Sequence, residues 1–130
     1  MIVVDTCVWI AAARQKRVAA VLCSLLEADD VALALPVRLE LLAGTARQDR
    51  SRFRKMYGSL LQLHPTEDTW AILPQWIEKA HDAGERFGIA DLLIASSTAE
   101  IGGLVWSLDK DFERMEQLGF VQRYDPPDIP

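Results

Sequence analysis

The chain has 130 residues, 50% of them hydrophobic and 25% charged, with a formal net charge of −5. A single domain of this length buries roughly two thirds of its unfolded surface, so it can hold a core without disulfides. No apolar run approaches a membrane span, no basic-then-apolar leader is visible, and the acidic balance argues against a nucleic-acid partner unless the acids gather on a metal.

Ile2, Val3 and Val4 predict a short strand buried on both faces and ended by Asp5. An acid there either caps the next helix or lies at the carboxyl edge, where open α/β sheets bind ligands. "TCVWIAAARQK" follows as a short helix with Trp9 in the core. Val18, Val21, Leu22, Leu25 and Leu26 recur at helical spacing, giving a helix that ends near Asp29 and Asp30. "VALAL" (31–35) predicts a second strand, and Pro36 fits the first turn of a helix, "PVRLELLAGTAR". A further helix is expected from Asp49 to Leu61. Thr66 caps a helix running to about Ala83, with acids in its first turn and Pro74 kinking or splitting it. Gly84 and Gly88 bracket a turn, and "IADLLIASSTAEIGG" is a helix closed by Gly102 and Gly103. Leu104–Trp106 is a third strand, "KDFERMEQLG" a helix stopped by Gly119, and "FVQRY" a fourth strand. Residues 125–130, "DPPDIP", form an extended tail. Strands alternating with helices imply a parallel sheet covered on both faces.

Helix phase places the acids. Glu40 lies on or beside the stripe formed by Val37, Leu41 and Gly44, and Asp91 shares its face with Ala95 and Ala99. Both are therefore expected to point toward the protein, where an unpartnered carboxylate is costly and wants a cation or several donors. In "LVWSLDKDF", Ser107, Asp109 and Asp111 follow a strand end at alternate positions. Such residues commonly make a turn and an N-cap. If the first strand and this one are neighbours, however, Asp5 and Asp109 meet at one rim. Four carboxylates in one pocket repel unless neutralised, and an oxygen-only site selects hard cations, Mg²⁺ or Mn²⁺. The usual work of such a site is phosphoryl transfer to water.

These residues resemble a known family. "VVDTCVW", "PVRLELLAG", "GIADLLIAS" and "SLDKDF", in this order over nearly the whole chain, are similar to the motifs of PIN domains, in particular the VapC-type ribonuclease toxins of toxin–antitoxin pairs. The resemblance implies an α/β fold: one PIN-like, Rossmann-like three-layer sandwich over residues 1–130, with a short parallel sheet flanked by helices. It implies that Asp5, Glu40, Asp91 and Asp109 are the metal-binding, catalytic acids, with Asp111 a fifth acid. Thr6 and Ser107 match hydroxyl positions that orient carboxylates or water; Ser107 stands where the family often has Thr. It further implies Mg²⁺- or Mn²⁺-dependent hydrolysis of RNA to 5′-phosphate and 3′-hydroxyl ends, a homodimer, and inhibition by a cognate antitoxin protein. A catalytically inactive RNA- or protein-binding module and a housekeeping RNA-processing nuclease are the alternatives.

The stretch "TARQDRSRFRKMYG" makes Arg47, Arg50, Arg54 and Lys55 candidate contacts to RNA or to the partner protein, and Arg86 another. His64 and His81 lack metal-ligand spacing, and Trp70 and Trp76 are expected in core or dimer contacts. Cys7 and Cys23 lack CxxC spacing, which points to reduced thiols in a cytoplasmic protein, and Cys7 has no evident histidine base to make it a nucleophile. A phosphatase of the haloacid dehalogenase type would need an acid where Cys7 stands. A receiver domain would need a phosphorylatable Asp after "VALALPV", which offers none.

Overall fold

The first strand, β1 (Ile2–Val4), is buried along its whole length, as a parallel strand covered on both faces must be. The computed structural model containing it describes residues 1–127. The chain continues through α1 (Thr6–Ala12), α2 (Lys16–Glu27), β2 (Val31–Ala34) and α3 (Leu35–Ala43). A 3₁₀ turn at Arg47–Asp49 leads into α4 (Arg50–Tyr57) and β3 (Leu61–Leu63). The long α5 (Glu67–Asp82) is followed by α6 (Ile89–Glu100), β4 (Leu104–Trp106), α7 (Lys110–Gln117) and β5 (Gln122–Arg123).

The five strands form one sheet in the order β3-β2-β1-β4-β5, every neighbouring pair parallel. The chain thus winds outward from β1 to β3, then returns to the other side of β1 to lay down β4 and β5. The reversal of winding falls between β1 and β4. Their register pairs Val4 with Trp106, so the first residues past each strand, Asp5 and Ser107, emerge side by side.

The α6 helix explains how so short a sheet encloses a core. Residues Leu92 to Thr98 are all buried, and α6 packs on α3, α5, α7 and two strands. Small Ala95, Ser96 and Ser97 permit the close approach. Ser96 and Thr98 satisfy their hydroxyls on the carbonyls of Leu93 (3.3 Å) and Ile94 (2.7 Å) within the helix. Opposite, Phe112 and Met115 of α7 have no exposed surface and fix that helix against the core.

Several sequence expectations differ from the observed elements. The helix expected over 49–61 stops at Tyr57, and Leu61–Leu63 is a strand on the edge of the sheet. With Leu61 exposed, Gln62 half-buried and Leu63 buried, three residues are too few to display a period against the helical spacing before them. Leu35 begins α3 rather than ending β2, so Pro36 sits in the first turn, where its missing N–H costs nothing. The fourth expected strand shrinks to Gln122–Arg123, because Phe120 and Val121 are taken up by the core before pairing begins. The α1 helix ends at Ala12, four residues short of the predicted stretch. Pro74 stands exposed inside an unsplit α5. Asp125–Pro127 have no regular structure, and the last three residues of the expected tail lie outside the described residues.

Trp9 is in the core and donates its indole N–H to the Val4 carbonyl at 3.2 Å. Trp76 stacks on Phe120, with ring centroids 4.5 Å apart, whereas Trp70 is 52% exposed.

Truncating Phe112 removes the largest fully buried side chain and leaves a cavity. Phe112→Ala is expected to lower the unfolding free energy by about 3–5 kcal/mol, measured as a shift of the urea midpoint.

Candidate active site

Asp5 uses its two carboxylate oxygens differently. Oδ1 accepts the Thr6 amide at 2.8 Å and caps α1, while Oδ2 accepts the Ser107 hydroxyl at 2.7 Å. The cap and the pocket position are both real. The side chain remains only 7% exposed, and its backbone amide donates to the Trp106 carbonyl at 2.9 Å. The strand register therefore delivers the acid and the hydroxyl to one another directly.

From Ser107 the pattern runs along the β4–α7 corner. Ser107 Oγ accepts the Asp109 amide at 3.0 Å, and Asp109 Oδ1 in turn accepts the Asp111 amide at 2.9 Å and caps α7. Alternate spacing of Ser107, Asp109 and Asp111 is what such a turn-and-cap needs, and it sets the acids toward α6. Asp91, Asp109 and Asp111 each bring a carboxylate oxygen within 4.8 Å of the others, a grouping that could hold a metal ion.

Burial first, and then the negative charges of Asp5, Asp109, Asp111 and Glu40, push the Asp91 carboxyl up to about 6. The only ion pair to the three-acid cluster among the described residues is that of Arg114, which binds Asp111 from the next turn of α7 and reaches Glu85 at 3.2 Å. One guanidinium shared between two carboxylates leaves the remaining acids uncompensated. An all-oxygen donor set with unbalanced negative charge suits a hard divalent cation.

Glu40 is not one of the three acids within 4.8 Å, although its charge reaches Asp91. Along α3, Val37 is buried, Leu41 half-buried and Gly44 exposed, and Glu40 itself is exposed. The apolar stripe is real only in the first turns, because the second half of α3 has no layer above it: Leu39 and Leu42 are 51% and 40% exposed. Glu40 lines a cleft of about 280 Å³ together with Thr6, whose hydroxyl is buried without a hydrogen-bond partner. The face of Asp91 loses its cover in the same way at its far end, with Ala95 buried and Ala99 exposed.

Sequence reasoning missed two members of the site. Cys7 Sγ donates to Asp5 Oδ2 at 3.4 Å and accepts the Leu108 amide at 3.3 Å, so the thiol helps clamp Asp5 to the β4–α7 corner. Burial pushes its thiol up, which keeps the donated proton in place. Arg114 was legible in principle, since it lies three residues after Asp111 on one helix. Of the cationic candidates, Arg50 and Arg54 line a separate pocket with Arg38, whereas Arg47, Lys55 and Arg86 are exposed and line none of the larger pockets near the acids.

The PIN domain family model matches residues 2–118, and the chain belongs to that family. Among solved structures, it is similar to a chain of FitAcB from Neisseria gonorrhoeae, at 25% identity and a TM-score of 0.76 over 97% of this chain and 98% of that one. VapBC-1 from nontypeable Haemophilus influenzae matches at 21% identity and a TM-score of 0.76, over 96% of this chain and 98% of that one. VapBC2 from Rickettsia felis, solved bound to a DNA fragment from its promoter, matches at 15% and 0.75, over 98% and 100%. At these last identities the likeness is one of fold. No curated protein matches the chain by sequence.

A raised carboxyl has a definite sign for stability. Protonation of Asp91 stabilises the metal-free fold fully below its ordinary value of 3.8, and this contribution is lost as pH rises through about 6. Asp91→Asn removes the buried, repelled charge at every pH. In excess chelator the variant should melt above the wild type near pH 7, and the gap should close as pH falls toward about 4. Thermal scans across that range check it; a gap independent of pH would contradict the assigned repulsion.

Proposed function

We infer that this chain is a divalent-metal-dependent endoribonuclease and the toxin of a type II toxin–antitoxin pair. The observation that carries the reading is the convergence of Asp91, Asp109 and Asp111 within 4.8 Å, beside an Asp5 tied to the same corner through Ser107. Membership of the PIN family supports a nuclease. The resemblance to VapC-type toxins and the likeness to chains of FitAcB and VapBC support a protein that works with a cognate antitoxin. The same reading carries Mg²⁺ or Mn²⁺ as cofactor, RNA as substrate, a homodimer and a cytoplasmic location. No helix among the described residues is long and apolar enough to cross a membrane.

In this reading Asp5, Glu40, Asp91 and Asp109 hold the cation, with Asp111 a fifth acid beside them. When bound, the cation supplies charge neutralisation at the phosphate and a more acidic water. The chain's own residues supply position. Ser107 and the Thr6 amide fix both oxygens of Asp5, the Asp111 amide fixes Asp109, and Arg114 restrains Asp111. Water adds to phosphorus and the bond to the 3′ oxygen breaks, leaving a 5′-phosphate and a 3′-hydroxyl.

Purified protein should cleave single-stranded RNA in Mg²⁺ or Mn²⁺ and stop when the metal is chelated. Asp5→Asn and Asp91→Asn should abolish cleavage with the fold intact, and Ser107→Ala should reduce it by about 10- to 100-fold through loss of orientation. Millimolar Mg²⁺ or Mn²⁺ should raise the melting temperature by mass action. Equal cleavage in excess chelator would sink the reading.

A further inference from the structure

On the side of the molecule away from α7, α3, α4 and β3 enclose a pocket of about 800 Å³. Three guanidiniums line it, those of Arg38, Arg50 and Arg54, and no carboxylate does. None of the three makes an ion pair among the described residues. Arg50 and Arg54 are one turn apart on α4 and share a face. Arg38 is held from the opposite wall: its Nη1 donates to Gln62 Oε1 at 3.3 Å, and the Gln62 amide is pinned to the Tyr57 and Leu60 carbonyls, both at 2.9 Å. Phe53 and Tyr57 give the floor its apolar surface.

The pocket is not isolated. Thr45 and Tyr57 line both it and the smaller cleft that contains Glu40 and Thr6. The two cavities therefore adjoin, with Thr45 and Tyr57 at their common border. Guanidiniums bind phosphate in a planar, two-pronged way, and a cavity of this size admits a nucleotide as readily as a drug-sized ligand.

We propose that this pocket is a second binding site for single-stranded RNA, holding a nucleotide beyond the scissile bond by its phosphate on Arg38, Arg50 and Arg54. The proposal rests on the nuclease reading and deepens it. Acidity near Asp91 gives the active cleft little grip on a polyanion, so the cationic pocket supplies affinity while the acids supply chemistry. It also accounts for an acidic protein taking an anionic substrate: the favourable charge is local and off-centre.

The test separates this subsite from the chemistry. Wild type and Arg50→Gln/Arg54→Gln are titrated in excess chelator with a fluorescein-labelled, mixed-sequence RNA of about ten nucleotides, a length within the span of single-strand binding sites. Both arginines are on an exposed helix face, so the fold is not at stake. The double variant should bind about tenfold more weakly or worse, and its salt slope should fall by about 0.7 for each phosphate no longer held. In Mg²⁺, KM for the same RNA should rise with kcat retained, while a dinucleotide too short to reach the pocket should be cleaved equally by both proteins. Unchanged affinity and salt slope, with normal cleavage by the wild type, would overturn the subsite and leave the nuclease standing. So would a loss confined to a labelled oligoglutamate peptide, which would make the pocket a protein-docking site. Arginine-dependent RNA binding without metal-dependent cleavage would overturn the nuclease reading and leave the subsite in place.

Discussion

The hydrogen bond from Ser107 to Asp5 joins residues 102 positions apart, and the acidic pocket depends on it. It exists because β1 and β4 are neighbours at the point where the sheet reverses its winding. A strand order without β1 beside β4 would separate Asp5 from the β4–α7 corner. The bond also makes tolerable what would otherwise be a buried, repelled carboxylate. Each oxygen of Asp5 has a donor, and Cys7 adds a third.

That arrangement sets stability against use. The acids meet before any cation neutralises them, and burial together with their charges raises the Asp91 carboxyl. The scaffold tolerates the repulsion because its firmest parts lie directly underneath: α6 buried over seven consecutive residues, and Phe112 and Met115 locking α7. A site of like charges needs a rigid floor, or its members would swing out into water and relieve the repulsion at the expense of geometry.

Much of this was legible in the sequence, for local reasons. Short apolar runs ended by Asp5 or by Ser107 and Asp109 mark strand ends, and a strand end fixes where the next side chain emerges. Asp91, lying N-terminal to a run of small and apolar residues, was legible from helix phase. The Glu40 stripe misled because phase reports which face a residue shares, not whether anything covers that face, and the second half of α3 is uncovered. The edge strand β3 was illegible because three residues show no period. The cationic pocket was only half visible: Arg50 and Arg54 stand out as a charge run, but Arg38 and Gln62 join them only through packing.

The order of the acids along the chain has a consequence for synthesis. Asp5 emerges from the ribosome first, whereas Asp109 and Asp111 follow about a hundred residues later, after nearly all the helices. Until β4 pairs, β1 is the open edge of a half-sheet and Asp5 has no Ser107 beside it. At roughly 5–20 residues per second, that interval lasts several seconds. Even with most of the chain translated, the nascent polypeptide cannot bring Asp109 and Asp111 to Asp91 or Ser107 to Asp5, and whatever the completed site does begins only after the last quarter of the chain has docked.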